Sequence, residues 1–322
     1  MQEDDDKYKV LEGNSGVYKQ YIFHLSDIHI NNNSYNYYEY VIIFGRIISK
    51  LSHICDRDSS VIIITGDLID TKGVISGQVL KLLKNFLGQI MQIAPIIIMA
   101  GNRDCSPDKL DDIFIPIIEM LKMLNELDGE NYKPIYYLRK SGYYRYYNLV
   151  LGYTSLLDTK FIDGEKNVHD IFGMDTEDTY KIGLYHGKVN HSNVGNFVGF
   201  DYVLLGGNSF YQKLNDQETI AYAGSLIQRG YDEVFGDQGI LQWNLGKAEH
   251  TFHRIENKYG YFTVNIKNGK MVDTYIPKRS HIRFNIENTN YKTYEKIREE
   301  IRRKYLLCKL EPKLPPFKTK KK

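Results

Sequence analysis

Only three cysteines occur in the 322 residues, Cys55, Cys105 and Cys308, and no two of them form a C-x-x-C pair. Such spacing excludes a disulfide framework and a cysteine-type structural zinc site, and it fits a reducing compartment. No apolar run approaches the roughly 18 to 20 residues that a membrane span needs. The N-terminus is acidic and polar rather than basic and then apolar, so the sequence predicts an intracellular protein, cytoplasmic or nuclear, with no membrane partner. Gly-x-Ser-x-Gly, P-loop and dinucleotide fingerprints are missing, which removes the serine hydrolase, NTPase and dehydrogenase classes. There is no internal repeat or low-complexity stretch, and net charge is nearly absent: 42 Lys and Arg against 40 Asp and Glu leave +2, which selects no partner.

What is present describes a globular chain. Hydrophobic residues make up 42% and charged residues 25%, close to the average of folded domains. An acidic run, Glu3 to Asp6, opens the sequence and Lys318, Lys320, Lys321 and Lys322 close it, as solvated tails do. The 27 tyrosines against 14 phenylalanines, with abundant Ile, Asn and Lys, suggest an AT-rich genome such as that of a large DNA virus.

Buried parallel strands read as short apolar runs bounded by turn residues and alternating with helical patterns. Three such units open the chain. Tyr21 to Leu25 runs into Ser26-Asp27-Ile28-His29, with a helix from about Tyr37 to Leu51; Val61 to Thr65 runs into Gly66-Asp67-Leu68-Ile69-Asp70, with a helix from about Ile75 to Met91. Pro95 to Ala100 then runs into Gly101-Asn102-Arg103-Asp104, with a helix from about Pro107 to Leu124. From about Tyr136 strands with short turns dominate: 143–147, 149–153, 181–185, 202–205, 219–223, 240–244 and 261–266. Two packed sheets with flanking helices accommodate this α/β pattern. A boundary is expected near Pro277, followed by an amphipathic helix with Tyr294, Ile297 and Ile301 on one face. The expected organisation is a tail over 1–18, a catalytic domain over 19–275 and a short C-terminal extension over 276–322.

Polar residues end every one of these strands, where ligands of open α/β sheets bind. Divalent ions need several O and N ligands converging from different segments, and paired ions need a carboxylate between them. Asp27-x-His29, Gly66-Asp67, Gly101-Asn102 and Tyr185-His186-Gly187 supply such a set in order. An extended 27–29 segment would point Asp27 and His29 the same way. The tyrosines at 143, 144, 146 and 147 read as strand residues rather than a base-stacking platform.

This succession resembles the calcineurin-like metallophosphoesterases. Asp201-Tyr202-Val203-Leu204-Leu205-Gly206, and Tyr222-Ala223-Gly224-Ser225 followed by Glu233, resemble more narrowly the SbcD-type DNA double-strand-break repair nucleases, the catalytic partners of SMC-like ATPases. The resemblance spans about 19–275 and implies a two-sheet sandwich flanked by helices; 276–322 resembles the start of that family's capping domain. It implies two manganese ions, the first held by Asp27 and His29, the second by Asn102 and His186, with Asp67 bridging, and it implies DNA and homodimer partners. Arg103 stands where the family's third motif has a catalytic histidine, and Gly207 and Ser209 stand at two metal positions of the fifth motif. The expectation is therefore a nuclease-like phosphodiesterase, weakened or inactive. Rival readings are a non-catalytic DNA-binding or ATPase-partner scaffold and a small-molecule phosphoesterase. His191 and Asn208 are the nearby side chains able to replace a missing ligand.

Overall fold

The computed structural model describes residues 7–12, 17–32, 37–70, 75–105, 114–127, 131–158, 160–174, 179–190, 192–273, 275–305 and 309–310. They divide into two compact units, Met1–Leu226 with Gln238–Ile255, and Ile227–Asp237 with Glu256–Lys322. In the first unit the chain runs through β1 (Tyr8–Glu12), β2 (Tyr21–Leu25), α1 (Tyr37–Ile54), β3 (Ser60–Thr65), α2 (Gly77–Met91), β4 (Ile96–Met99), α3 (Phe114–Leu127) and β5 (Ile135–Leu138). It continues through β6 (Gly142–Tyr146), β7 (Leu149–Thr154), α4 (His169–Phe172), β8 (Tyr180–His186), β9 (Tyr202–Gly206), β10 (Gln212–Lys213), β11 (Ile220–Tyr222), β12 (Gly239–Asn244) and β13 (Glu249–Arg254).

Two sheets result, ordered β13-β12-β2-β3-β4-β5 and β1-β6-β7-β8-β9-β11-β10. All six residues of β3 are buried, as befits a parallel strand covered on both faces. Its alternation places Val61 and Ile63 in one core with Ile22, Ile97 and Met99 of its own sheet and Leu151, Tyr153, Ile182 and Leu184 of the other. Each such aliphatic side chain removed from water contributes about 1.5 to 3 kcal/mol. The opposite-facing Phe23, Leu25, Ile62 and Ile64 are also buried, and α1 packs on α2 through Phe44 and Phe86, 4.1 Å between ring centroids. This is the two-sheet α/β sandwich expected from the sequence.

The second unit contains β14 (Tyr261–Lys267), β15 (Lys270–Met271), β16 (His281–Glu287), α5 (Tyr291–Lys304) and β17 (Lys309–Leu310), with the sheet ordered β15-β14-β16-β17. Tyr294 and Ile301 of α5 are buried against Val264, Ile266, Ile282 and Phe284. Asn290 caps the helix by accepting a hydrogen bond from the Thr293 N–H, and Arg302, Arg303 and Lys304 complement its carboxyl end.

Two boundaries differ from expectation. The longer segment of the second unit begins at Glu256 rather than near Pro277, because β14 pairs in parallel with β16 along its whole length and the two share one small core. The stretch 1–18 includes β1, which pairs in parallel with β6 and stacks Tyr8 on Tyr143 at 5.5 Å. Tyr143, Tyr144 and Tyr146 are buried in the strand-residue role expected of them. Among the described residues no helix is long and apolar enough to cross a membrane.

Candidate metal centre

The residues that follow β2 and β3 are tied together before any side chain is considered. Asp27 N–H donates to the Gly66 carbonyl (3.1 Å), His29 N–H to Asp67 (2.9 Å), Ile30 N–H to Leu68 (3.0 Å) and Asp70 N–H back to Ile30 (2.8 Å). The extended 27–29 segment does not form: Asp27, His29 and Asp67 have φ of 52°, 52° and 53°. Left-handed backbone costs a non-glycine residue on the order of 1 to 3 kcal/mol and clusters where function requires it. Here it turns all three side chains into one place.

Asp27, His29 and Asp67 are all buried, with one potential ligand atom of each within 4.8 Å of the others. His29 Nε2 lies 3.5 Å from Asp27 Oδ1 and 3.5 Å from Asp67 Oδ2. His186, from the last residue of β8 in the other sheet, brings its Nε2 to 3.4 Å from Asp67 Oδ1. One carboxylate therefore stands between two imidazoles, an oxygen toward each. His186 Nδ1 and the Thr65 carbonyl are 2.7 Å apart, which places a proton on Nδ1 and aims Nε2 at Asp67.

Second contacts hold the carboxylates. Asp27 Oδ2 accepts from Ser26 Oγ at 2.6 Å and from the Gly207 N–H at 2.9 Å; Asp67 Oδ1 accepts from the Arg103 N–H at 2.8 Å. Burial alone pushes the Asp27 carboxyl up, but the His29 and His186 imidazoles with those donors outweigh it and hold it below the ordinary carboxylate value. Asp67 behaves alike, burial being overcome chiefly by His186. Burial lowers the His186 pKa, yet the Asp67 and Asp27 carboxylates and the Thr65 carbonyl overcome it and push it up to about 9.

The residues fit a divalent cation. Buried His29 Nε2 and His186 Nε2 have no hydrogen-bond partner, a costly condition for buried polar atoms unless a ligand completes them. Separations of 3.4 and 3.5 Å suit N and O atoms that share an ion at about 2.1 Å.

Of the other expected residues, Asn102 is exposed in the turn after β4. Arg103 contributes its backbone N–H, while its guanidinium lies 3.6 Å from Asp70 Oδ1 with 39% of the side chain exposed. Gly207 contributes only its N–H to Asp27, and at φ +95° a side chain there would be strained, with a Cβ 3.3 Å from His186 Nε2. The Ser209 carbonyl accepts from the Ser225 N–H. Asn208 donates its amide to Gln212 Oε1 at 3.1 Å, so it is turned toward Gln212 rather than replacing a ligand. His191 lies outside the described residues.

Sequence reasoning assigned no role to Asp104. Its buried carboxylate accepts the N–H groups of Gly101 (2.8 Å), Ile69 (2.8 Å) and Leu68 (3.2 Å), clasping the β3 and β4 loops together. Burial and the charge of Asp67 push its pKa up to about 7. Gly101 has to be glycine at this junction, since a Cβ would lie 2.3 Å from both the N and Oδ1 of Asp67.

The family model described as calcineurin-like phosphoesterase matches residues 21–254. "Uncharacterized protein R555" of Acanthamoeba polyphaga mimivirus is 34% identical over 316 residues, which is 93% of this chain but 23% of that protein, so the chain spans about a quarter of the relative's length. A solved crystal structure overlays 74% of this chain and 99% of its own at a TM-score of 0.43 and 7% identity.

Proposed function

As the chain belongs to the calcineurin-like phosphoesterases, a metal-dependent family, we propose that it is a phosphodiesterase of the SbcD-type DNA repair nuclease class with a weakened hydrolytic site. The observation that carries this is the pair of buried, unpartnered imidazole nitrogens, His29 Nε2 and His186 Nε2, on opposite oxygens of Asp67. Asp27 and His29 would hold one cation, His186 and Asn102 a second, and Asp67 both; manganese is the ion proposed. DNA, an SMC-like ATPase and a second copy of this chain are the partners that the reading brings with it.

Bound divalent cations polarise phosphoryl oxygens and make a coordinated water acidic enough to act as a nucleophile near neutral pH. The protein's part is to hold Asp27 and Asp67 ionised and to aim His186 Nε2 through its Nδ1–H bond to Thr65. Arg103 stands where the family's third motif places a histidine to protonate the leaving oxygen. Arg103 stays protonated in proteins and cannot serve as an acid, and loss of a positioned acid costs about 10² to 10⁴ in rate. The same arrangement favours the scaffold reading to this extent: the Arg103 guanidinium faces Asp70.

Manganese-dependent cleavage of labelled single- and double-stranded DNA tests the assignment. Slow cleavage is expected that accelerates in the Arg103→His, Ser209→His double variant. Fast cleavage by the parent protein would remove the weakened-site reading, and no cleavage by either protein would favour the scaffold.

A pH dependence follows from His186. In the metal-free protein its pKa is raised to about 9 from an ordinary value of about 6.5. Its contribution to stability is therefore complete below about pH 6.5 and is lost as pH rises through about 9. A cation must displace the same proton, so apparent affinity should rise about tenfold per pH unit from 7 toward 9. Calorimetric titration with Mn2+ in two buffers of different ionisation enthalpy should report about one proton released at pH 7.5; absence of release would contradict the assignment of His186.

A further inference from the structure

Outside the metal centre, Tyr185 of β8 clusters with Phe161 and Phe197 from two neighbouring segments, three rings that the proposed hydrolysis does not use. Ring centroids of Tyr185 and Phe197 are 5.8 Å apart, Phe161 and Phe197 5.7 Å, and Phe161 and Tyr185 6.5 Å. Phe197 is buried, but Phe161 is 47% exposed and the adjoining Val198 is 58% exposed. Tyr185 immediately precedes His186 in β8, and strand alternation sends the two side chains to opposite faces.

Two glycines, Gly187 and Gly207, lie between the Tyr185 hydroxyl and His186 Nε2. A Cβ on Gly187 would lie 2.8 Å from the Tyr185 hydroxyl, and one on Gly207 would lie 3.1 Å from Gly187 N and 3.3 Å from His186 Nε2. Lys188, next along the chain, and Lys160, beside Phe161, are exposed. Among the described residues neither ammonium group is paired with a carboxylate. Aromatic rings with exposed lysines close in sequence, near the proposed phosphoryl site, are able to take single-stranded nucleic acid, the base stacking on a ring while the cations follow the phosphates.

We propose that the Phe161–Tyr185–Phe197 cluster is a stacking site for an unpaired nucleobase whose phosphate occupies the metal centre, with Lys188 on the neighbouring phosphate. The inference rests on the phosphodiesterase reading and adds where the base beside the reacting phosphate is held. A purely structural Phe161 would lid the apolar cluster beneath it, yet Phe197 already covers Val203, Leu205 and Tyr222 there.

The test is fluorescence anisotropy of a labelled oligothymidylate, and of the same strand with abasic positions, against the full-length protein in Mn2+. Phe161→Ala should weaken binding of the base-bearing strand about tenfold, the scale of one base–aromatic stack, and leave the abasic strand unchanged. Phe161→Trp should restore binding, and thermal melting should show Phe161→Ala folded. Equal weakening of both strands, or none while the parent protein binds, overturns the stacking site and leaves the phosphodiesterase reading standing. Failure of the parent protein to bind either strand overturns both.

Discussion

Asp67→Ala should abolish cation binding at the centre, with no Mn2+ heat detectable where the parent protein binds. Asp67 faces both imidazoles, Oδ2 toward His29 and Oδ1 toward His186. Its loss removes a ligand from each proposed ion and the negative charge between them. Second-shell losses commonly cost 10- to 100-fold in metal affinity, so a shared direct ligand should cost on the order of 10³ or more. Stability should move far less, because two effects oppose. The Arg103 N–H loses its acceptor, and the buried imidazole of His186 loses the carboxylate that raises its pKa; against this, Asp104 loses the neighbouring charge that opposes its ionisation. The His186 pKa should therefore fall from about 9 toward its ordinary range, which an NMR titration would follow. Parent-like Mn2+ affinity in Asp67→Ala would place any cation elsewhere.

The strands that carry the centre were legible because each is a continuous apolar run. Ser60 to Thr65 and Ile96 to Met99 are short, β-branched and buried throughout, a pattern that only a parallel strand between two covered faces requires. The ligand residues were legible as residue types at those strands' carboxyl ends, but not for the reason first assigned to Asp27 and His29. Extended backbone would have aligned them, whereas left-handed backbone does so in fact; Asp, Asn and His are the non-glycine types that enter this region most readily, a local signal available in the sequence. β1 was not legible, because four half-buried residues and one exposed one pair with β6, more than a hundred positions away. Nor was the transfer of Ile227–Asp237 to the second unit. It depends on Gln228, whose amide donates to the Tyr261 carbonyl at 2.9 Å and accepts the Tyr261 N–H at 2.7 Å, a pairing with no mark in local composition.

Asp104 was overlooked for a similar reason, and its replacement should have the largest effect on folding. Its carboxylate satisfies three buried backbone N–H groups, those of Leu68, Ile69 and Gly101, and a buried N–H left without an acceptor costs about 1 to 3 kcal/mol. Asp104→Ala should therefore destabilise the metal-free protein by about 3 to 5 kcal/mol and loosen Asp67 and Arg103, which sit on the two loops it joins. Asn is no true isostere, because its amide nitrogen would face an N–H donor wherever it replaced Oδ1 or Oδ2. The sign of the pH dependence separates hydrogen bonding from charge. The folded pKa of Asp104 is raised to about 7, above the ordinary value of about 3.9, so ionisation costs the native state stability. That cost is absent below about pH 4 and complete above about pH 7. The deficit of Asp104→Ala, measured by urea unfolding, should thus be greatest at about pH 4 and shrink as pH rises to about 7, where the parent protein bears the cost of its own buried charge. A deficit that grows with pH would mean that the ionised carboxylate stabilises the fold, and that Asp104 works through attraction to His186 rather than as an acceptor clasping the two loops.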